Sequence, residues 1–167
     1  MGTSNSLETL PASAGQSFSV TRKIRFGETD SAGIVYYPNY FDMFNEIVED
    51  WFEEDLGMSF WQLHQGENLG IPMARVECDF VAPCTLGDTI TLSLTATHLG
   101  RTSLKMQIIV STHGEIRLRA NLIAVFVDLL TFRSIEPPEA LRELIASRVI
   151  AAPLTDEAVC RTFETSN

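Results

Sequence analysis

The sequence predicts an α+β domain, an antiparallel five-stranded sheet wrapped around one long central helix. Three observations carry that expectation. From Pro38 to about Leu56, apolar residues recur at three- and four-residue spacing, the period of a helix with one buried face. Between Arg75 and Phe126, apolar and polar residues alternate in four successive stretches, the period of half-buried strands. Glycines stand in the gaps at Gly100 and Gly114, where tight turns would join neighbouring strands.

The elements follow in order. Residues Met1–Gln16 are rich in Ser, Thr, Gly and Ala and show no periodicity. They read as a disordered tail (residues 1–17), ahead of a domain over 18–150 and a C-terminal tail over 151–167. A first strand is expected over Phe18–Glu28, with Val20, Ile24 and Phe26 on one face, followed by a turn-like segment, Gly27–Gly33. In the long helix, Phe41, Phe44, Ile47, Val48, Trp51 and Phe52 form the apolar stripe. Pro38 suits its first turn and Gly57 its stop. At 1.5 Å per residue the helix is about 30 Å long.

Strands are then expected over Arg75–Ala82 (Val76, Cys78, Phe80 and Ala82 on one face) and Thr89–Thr97 (Ile90, Leu92, Leu94, Ala96). Leu104, Met106, Ile108 and Val110 continue the pattern, as do Ile116, Leu118, Ala120, Leu122, Ala124 and Phe126. A short helix starts at Pro137-Pro138, with Leu141, Leu144 and Ile145 inward. Strands joined by tight turns pair antiparallel. The long helix is the one element large enough to cover the sheet's apolar face.

Composition narrows the function. The chain has 167 residues, 45% of them hydrophobic, which fits one domain. Its formal net charge of −10 opposes binding to nucleic acid or an anionic membrane, so an anionic ligand needs locally placed Arg or Lys. No stretch approaches the roughly 20 apolar residues of a membrane span, and no secretory signal is read at the N-terminus. Cys78, Cys84 and Cys160 are widely spaced, which fits a reducing cytoplasm better than a disulfide framework or a zinc site. His64, His98 and His113 are isolated, and neither a Gly-x-Ser-x-Gly elbow nor a phosphate-binding glycine loop occurs.

The segment that can carry chemistry runs from Phe26 to Tyr40, FGETDSAGIVYYPNY. It sets Asp30 in a loop just before the long helix. The first N–H groups of a helix are unpaired and carry partial positive charge. They could hold an oxyanion forming at a thioester carbonyl, where one donor is worth on the order of 3–4 kcal/mol. A nearby Asp could attack that carbonyl or activate water. Gly33 would let the backbone come close to a ligand. The same residues also read as an ordinary cap and turn.

Asp30-Ser31-Ala32-Gly33-Ile34-Val35-Tyr36-Tyr37-Pro38-Asn39-Tyr40, opening an amphipathic helix between a first strand and a run of strands, resembles the hotdog-fold thioesterases of the 4-hydroxybenzoyl-CoA thioesterase family. The resemblance covers about Phe18 to Ile145. It implies that Asp30 is the nucleophile or general base and that the Tyr37 N–H polarises the thioester carbonyl. Related members commonly carry His where this chain has Tyr37, a departure that tilts the resemblance toward the branch acting on aromatic acyl groups.

For coenzyme A, the resemblance implies Arg101, Thr102 and Ser103, just after the Gly100 turn, with Lys105 and Arg133 as further basic candidates. A guanidinium fork matches phosphate geometry. Tyr36, Tyr40, Asn45 and Glu46 are candidates for the acyl pocket, with Phe41 and Trp61 as nearby aromatic residues. Active sites of the family lie between two subunits, so a homodimer or homotetramer is expected. No cofactor is expected beyond the coenzyme A of the substrate. A short- or medium-chain acyl-CoA thioesterase and a non-catalytic acyl-CoA-binding module are the competing functions; a dehydratase would want a His in the helix-entry loop.

Overall fold

The computed structural model describes residues 17–150. The tails expected at 1–17 and 151–167 lie outside the described residues, apart from Ser17. The main sheet has five strands: β1 (Phe18–Lys23), β3 (Met73–Phe80), β4 (Thr89–Leu99), β5 (Ser103–Thr112) and β6 (Glu115–Val125). Their spatial order is β1-β4-β5-β6-β3, and every neighbouring pair is antiparallel. A second, three-stranded sheet joins β2 (Leu69–Gly70), β7 (Val127–Asp128) and β8 (Arg133–Ser134).

The long helix forms as the periodicity dictates. It is α-helical over α1 (Asn39–Asp50) and continues through a wider π turn at Trp51–Asp55. Tyr40, Met43, Phe44, Ile47, Val48, Trp51 and Phe52 are buried against the sheet. They meet Ile90, Leu92, Leu94 and Ala96 of β4, Leu104, Met106, Ile108 and Val110 of β5, and the alternate residues Leu118–Ala124 of β6, all buried in the same core. A second helix, α2 (Glu139–Ala146), follows Pro138 and buries Leu141 and Ile145. Asp55 at the end of the long helix pairs with Arg148 beyond α2, Oδ2 to Nε 2.9 Å.

Four expectations need correcting. The first strand stops at Lys23; Phe26 lies in a 3-10 turn (Phe26–Glu28) and is 81% exposed. The strand expected over Arg75–Ala82 ends at Phe80, which is half exposed, and Ala82 lies in the following loop. Leu144 sits at the outer side of α2 and is exposed. β3 does not pair with β4, its successor in the chain. It forms the far edge beside β6, and residues 81–88 cross the end of the sheet to reach β4. That crossover builds the site.

Candidate active site

The loop from Thr29 to Val35 is a small closed structure. The Asp30 N–H donates to the Ile34 carbonyl (2.9 Å), and the Gly33 N–H donates to the Asp30 carbonyl (3.0 Å). Gly33 adopts φ +77°, the left-handed conformation such a tight turn requires. The Asp30 Oδ1 accepts the Ala32 N–H at 2.8 Å, an Asx turn of the kind Asp favours. Oδ2 of Asp30 has no partner among the described residues, and Asp30 is exposed.

The crossover from β3 to β4 holds this loop from beneath. The Val35 N–H donates to the Cys84 carbonyl (2.9 Å), and the Leu86 N–H donates to the Gly33 carbonyl (3.0 Å). Cys84 is fully buried. Burial above all pushes its thiol upward in pKa, and the Asp88 carboxylate adds to that, while Tyr40 and Arg117 act the other way.

Helix entry comes next. The N–H groups of Tyr36, Asn39, Tyr40 and Phe41 donate to the carbonyls of Glu28, Tyr36, Tyr37 and Pro38. The Tyr37 N–H, between them, donates to no described residue. It stands at the mouth of the helix, where the macrodipole favours negative charge. Tyr36 and Tyr37 are both exposed, with their rings edge to face at a centroid distance of 5.5 Å. The loop and helix entry thus present a carboxylate oxygen and an amide hydrogen without partners among the described residues, and the two exposed aromatic rings belong to the helix entry.

The other residues singled out in the sequence fall in different places. Tyr40, expected at the acyl pocket, is turned into the core with 4% exposure, because it shares a helical face with Met43, Phe44 and Ile47. Its ring packs on Phe80, and burial raises its hydroxyl well above the usual tyrosine range. Asn45 and Glu46 are exposed on α1, and Glu46 pairs with Arg22 at 3.1 Å.

Arg101, Thr102 and Ser103 lie at the opposite end of the sheet from Asp30. β1 and β4 are locked together beside the loop by Ile24 N–H to Asp88 carbonyl (2.8 Å), and β4 then runs from Thr89 to Leu99 before the turn. That run is about 33 Å long. The Arg101 guanidinium is exposed and pairs with Glu136 at 3.2 Å. Lys105 lines a shallow cavity of about 290 Å³ on the outer sheet face with Arg75, and Arg133 is exposed in β8. Trp61 is exposed beyond the helix.

The sequence profile of the thioesterase-like superfamily matches residues 24–145. This chain belongs to the thioesterase-like superfamily. It is 28% identical over 123 residues to a 1,4-dihydroxy-2-naphthoyl-CoA hydrolase of Synechococcus elongatus, covering 73% of this chain and 90% of that protein. It is 29% identical over 86 residues to the hydrolase of the same name from Crocosphaera subtropica, covering 52% of this chain. That second match spans 62% of the relative's length, and other such hydrolases are matched over 56% or 57% of theirs. The structure superposes on a 1,4-dihydroxy-2-naphthoyl-CoA thioesterase from Synechocystis with a TM-score of 0.71 at 23% identity, covering 78% of this chain and 96% of the other. The superfamily's fold, the hotdog, is the one described above: a five-stranded antiparallel sheet around a helix.

Two residues of the site were not singled out in the sequence. Glu28 and Asn39 tie the loop to β1 and to the helix, as described further below. Asn at the start of a helix was a readable signal, since its short amide can bond to nearby backbone. Glu28 carried none.

Proposed function

We propose that this chain hydrolyses an aromatic acyl-CoA thioester to the free acid and coenzyme A. What carries the reading is one loop that, among the described residues, offers a carboxylate oxygen without a partner, Asp30 Oδ2, and a helix-entry N–H without an acceptor, that of Tyr37. A thioester carbonyl accepting the Tyr37 N–H gains stabilisation as its oxygen turns negative. Asp30 then acts on the carbonyl carbon, either by direct attack or by taking a proton from an attacking water. Either way the C–S bond breaks, the electron pair leaves with sulfur, and the thiolate takes up a proton to become coenzyme A; after direct attack, water cleaves the acyl–Asp30 anhydride left behind, which releases the acid and returns the carboxylate. A carboxylate and an amide suffice for this chemistry, so the reaction needs no cofactor beyond the coenzyme A carried by the substrate.

The aromatic acyl class rests on the exposed Tyr36 and Tyr37 rings and on the names of the relatives, which act on a naphthoyl ester. Ring–ring contacts add about 0.5–1.5 kcal/mol beyond burial. Hydroxylated aryl groups, of the 4-hydroxybenzoyl or dihydroxynaphthoyl kind, are the substrates we favour.

The coenzyme A moiety falls to Arg101, Thr102 and Ser103. Because they stand a sheet's length from Asp30 in one chain, they would serve the site of a second copy. The active assembly is therefore a homodimer or homotetramer, and the wide spacing of Cys78, Cys84 and Cys160 in the sequence favours the reducing cytoplasm as its setting. The test is thiol release from a panel of aryl and saturated acyl-CoAs. A higher kcat/KM for the aryl esters is expected. A consistent preference for aliphatic esters would overturn the acyl class, and no release from any ester would overturn the activity.

A further inference from the structure

Glu28 stands two residues before Asp30 and holds three parts of the chain at once. Its backbone carbonyl accepts two hydrogen bonds from the helix entry: the Tyr36 N–H at 2.9 Å and the Asn39 Nδ2 at 2.8 Å. Its carboxylate accepts the Arg25 N–H through Oε2 at 2.7 Å and pairs with Arg22 of β1 through Oε1. Arg22 extends its other nitrogen, Nη1, to Glu46 on α1 at 3.1 Å. The Glu28 and Arg22 side chains are only 19% and 23% exposed, so this is no loose surface pair.

The geometry points to Asn39 and Glu28 as positioning residues, which fix the helix-entry N–H of Tyr37 relative to the Asp30 carboxylate; the inference rests on the function proposed above. Asp30 follows Glu28 on one strand of the loop, and Tyr36–Tyr37 return along the other. Val35 and Thr29 face each other in a bridge whose two bonds are Asp30 N–H to the Ile34 carbonyl and Tyr36 N–H to the Glu28 carbonyl. Of the two bonds that the Glu28 carbonyl accepts, one is that backbone rung from Tyr36. The other is the Asn39 amide, which ties the first residue of α1 to the peptide just ahead of Asp30. Without the amide, the Tyr36 rung is the one described bond left between the helix entry and the Glu28 carbonyl, so the Tyr37 N–H is held less tightly relative to Asp30. A displacement of about 1 Å between reacting groups costs around a hundredfold in rate.

The two residues do different jobs. Asn39 acts through a donor, and its carboxylate analogue lacks that donor while keeping its shape. An Asp at the first turn of a helix is also favoured by the macrodipole, so Asn39→Asp does not weaken the helix through charge. Glu28 acts through acceptor oxygens, and Gln keeps one of them for the Arg25 N–H, whereas Ala keeps neither.

The experiment compares Asn39→Asp, Glu28→Ala, Glu28→Gln and Asp30→Asn with the parent, using the full chain and 4-hydroxybenzoyl-CoA. Rates are normalised to the folded fraction measured by circular dichroism at the assay temperature. Asn39→Asp and Glu28→Ala are expected to lower kcat at least tenfold with KM changed less than threefold, and Glu28→Gln to restore kcat to within threefold of the parent. The positioning role is overturned if normalised kcat of Asn39→Asp stays within twofold of the parent, or if Glu28→Gln is as slow as Glu28→Ala. Asp30→Asn separates the two claims. If it is inactive while Asn39→Asp is unimpaired, the clamp alone fails. If Asp30→Asn turns over normally, the assignment of Asp30 fails, and the clamp as stated with it.

Discussion

Gly33 shows how one residue shapes the loop. Its φ of +77° lies in the left-handed region, and a Cβ added there would meet nothing within 4 Å. The cost of Gly33→Ala is therefore purely conformational, about 1–2 kcal/mol. Asn, which tolerates that region better, should cost less. Urea unfolding of the two variants is expected to give Ala the lower midpoint, with an unchanged slope. Asp30 and Gly33 were legible in the sequence because the loop's geometry depends on residue types with few substitutes: a short acceptor for the Ala32 N–H and a residue free to take positive φ. Glu28 was not, since its role lies in contacts between parts of the chain, and Asn39 carried only the general signal of a helix start, which does not name its partner. Tyr40 was misplaced for a related reason. Reading aromatic residues in succession ignores the helical period, which puts Tyr40 inside, whereas Tyr36 and Tyr37 precede the helix and stay exposed.

At the scale of elements, α1 is held by its buried stripe. Phe44 is almost completely buried and packs beside Phe41, with a centroid separation of 5.8 Å. Phe44→Ala removes that ring from the core and should cost about 3–5 kcal/mol. Glu49→Ala, on the exposed face of the same helix, should stay within about 0.5 kcal/mol. Thermal or denaturant melts of the pair check both figures, and similar losses from the two would show that the stripe does not hold the helix.

The helix and the meander β4–β5–β6 were legible because each repeats its period over many residues. The strands β2, β7 and β8 are two residues long, too short for any period to register. The place of β3 at the edge was hidden because pairing with β6 depends on residues 38 to 51 positions away. Phe26 kept the alternation of the first strand, but the pairing with β4 runs no further than the Ile24 N–H bond to Asp88, and Phe26 already lies in the 3-10 turn.

At the scale of the whole molecule, β1 and β3 are the two edges of the five-stranded sheet, and unpaired edges invite another chain. Exposed Phe26, Tyr36, Tyr37, Phe80 and Leu86 lie at the end of the sheet that carries Asp30. The candidate coenzyme A residues stand at the other end. A second copy would cover the apolar rim and bring its own Arg101, Thr102 and Ser103 to the site. Light scattering at micromolar concentration is expected to give the mass of a dimer or tetramer, and an active monomer would contradict the shared site. The most direct measurement of the central claim is the rate of thiol release from 4-hydroxybenzoyl-CoA by the parent and by Asp30→Asn, alongside the affinity of each for the ester. The account predicts saturable turnover by the parent and a loss of about 10²-fold or more in Asp30→Asn, with binding retained; near-parental turnover by Asp30→Asn would contradict it.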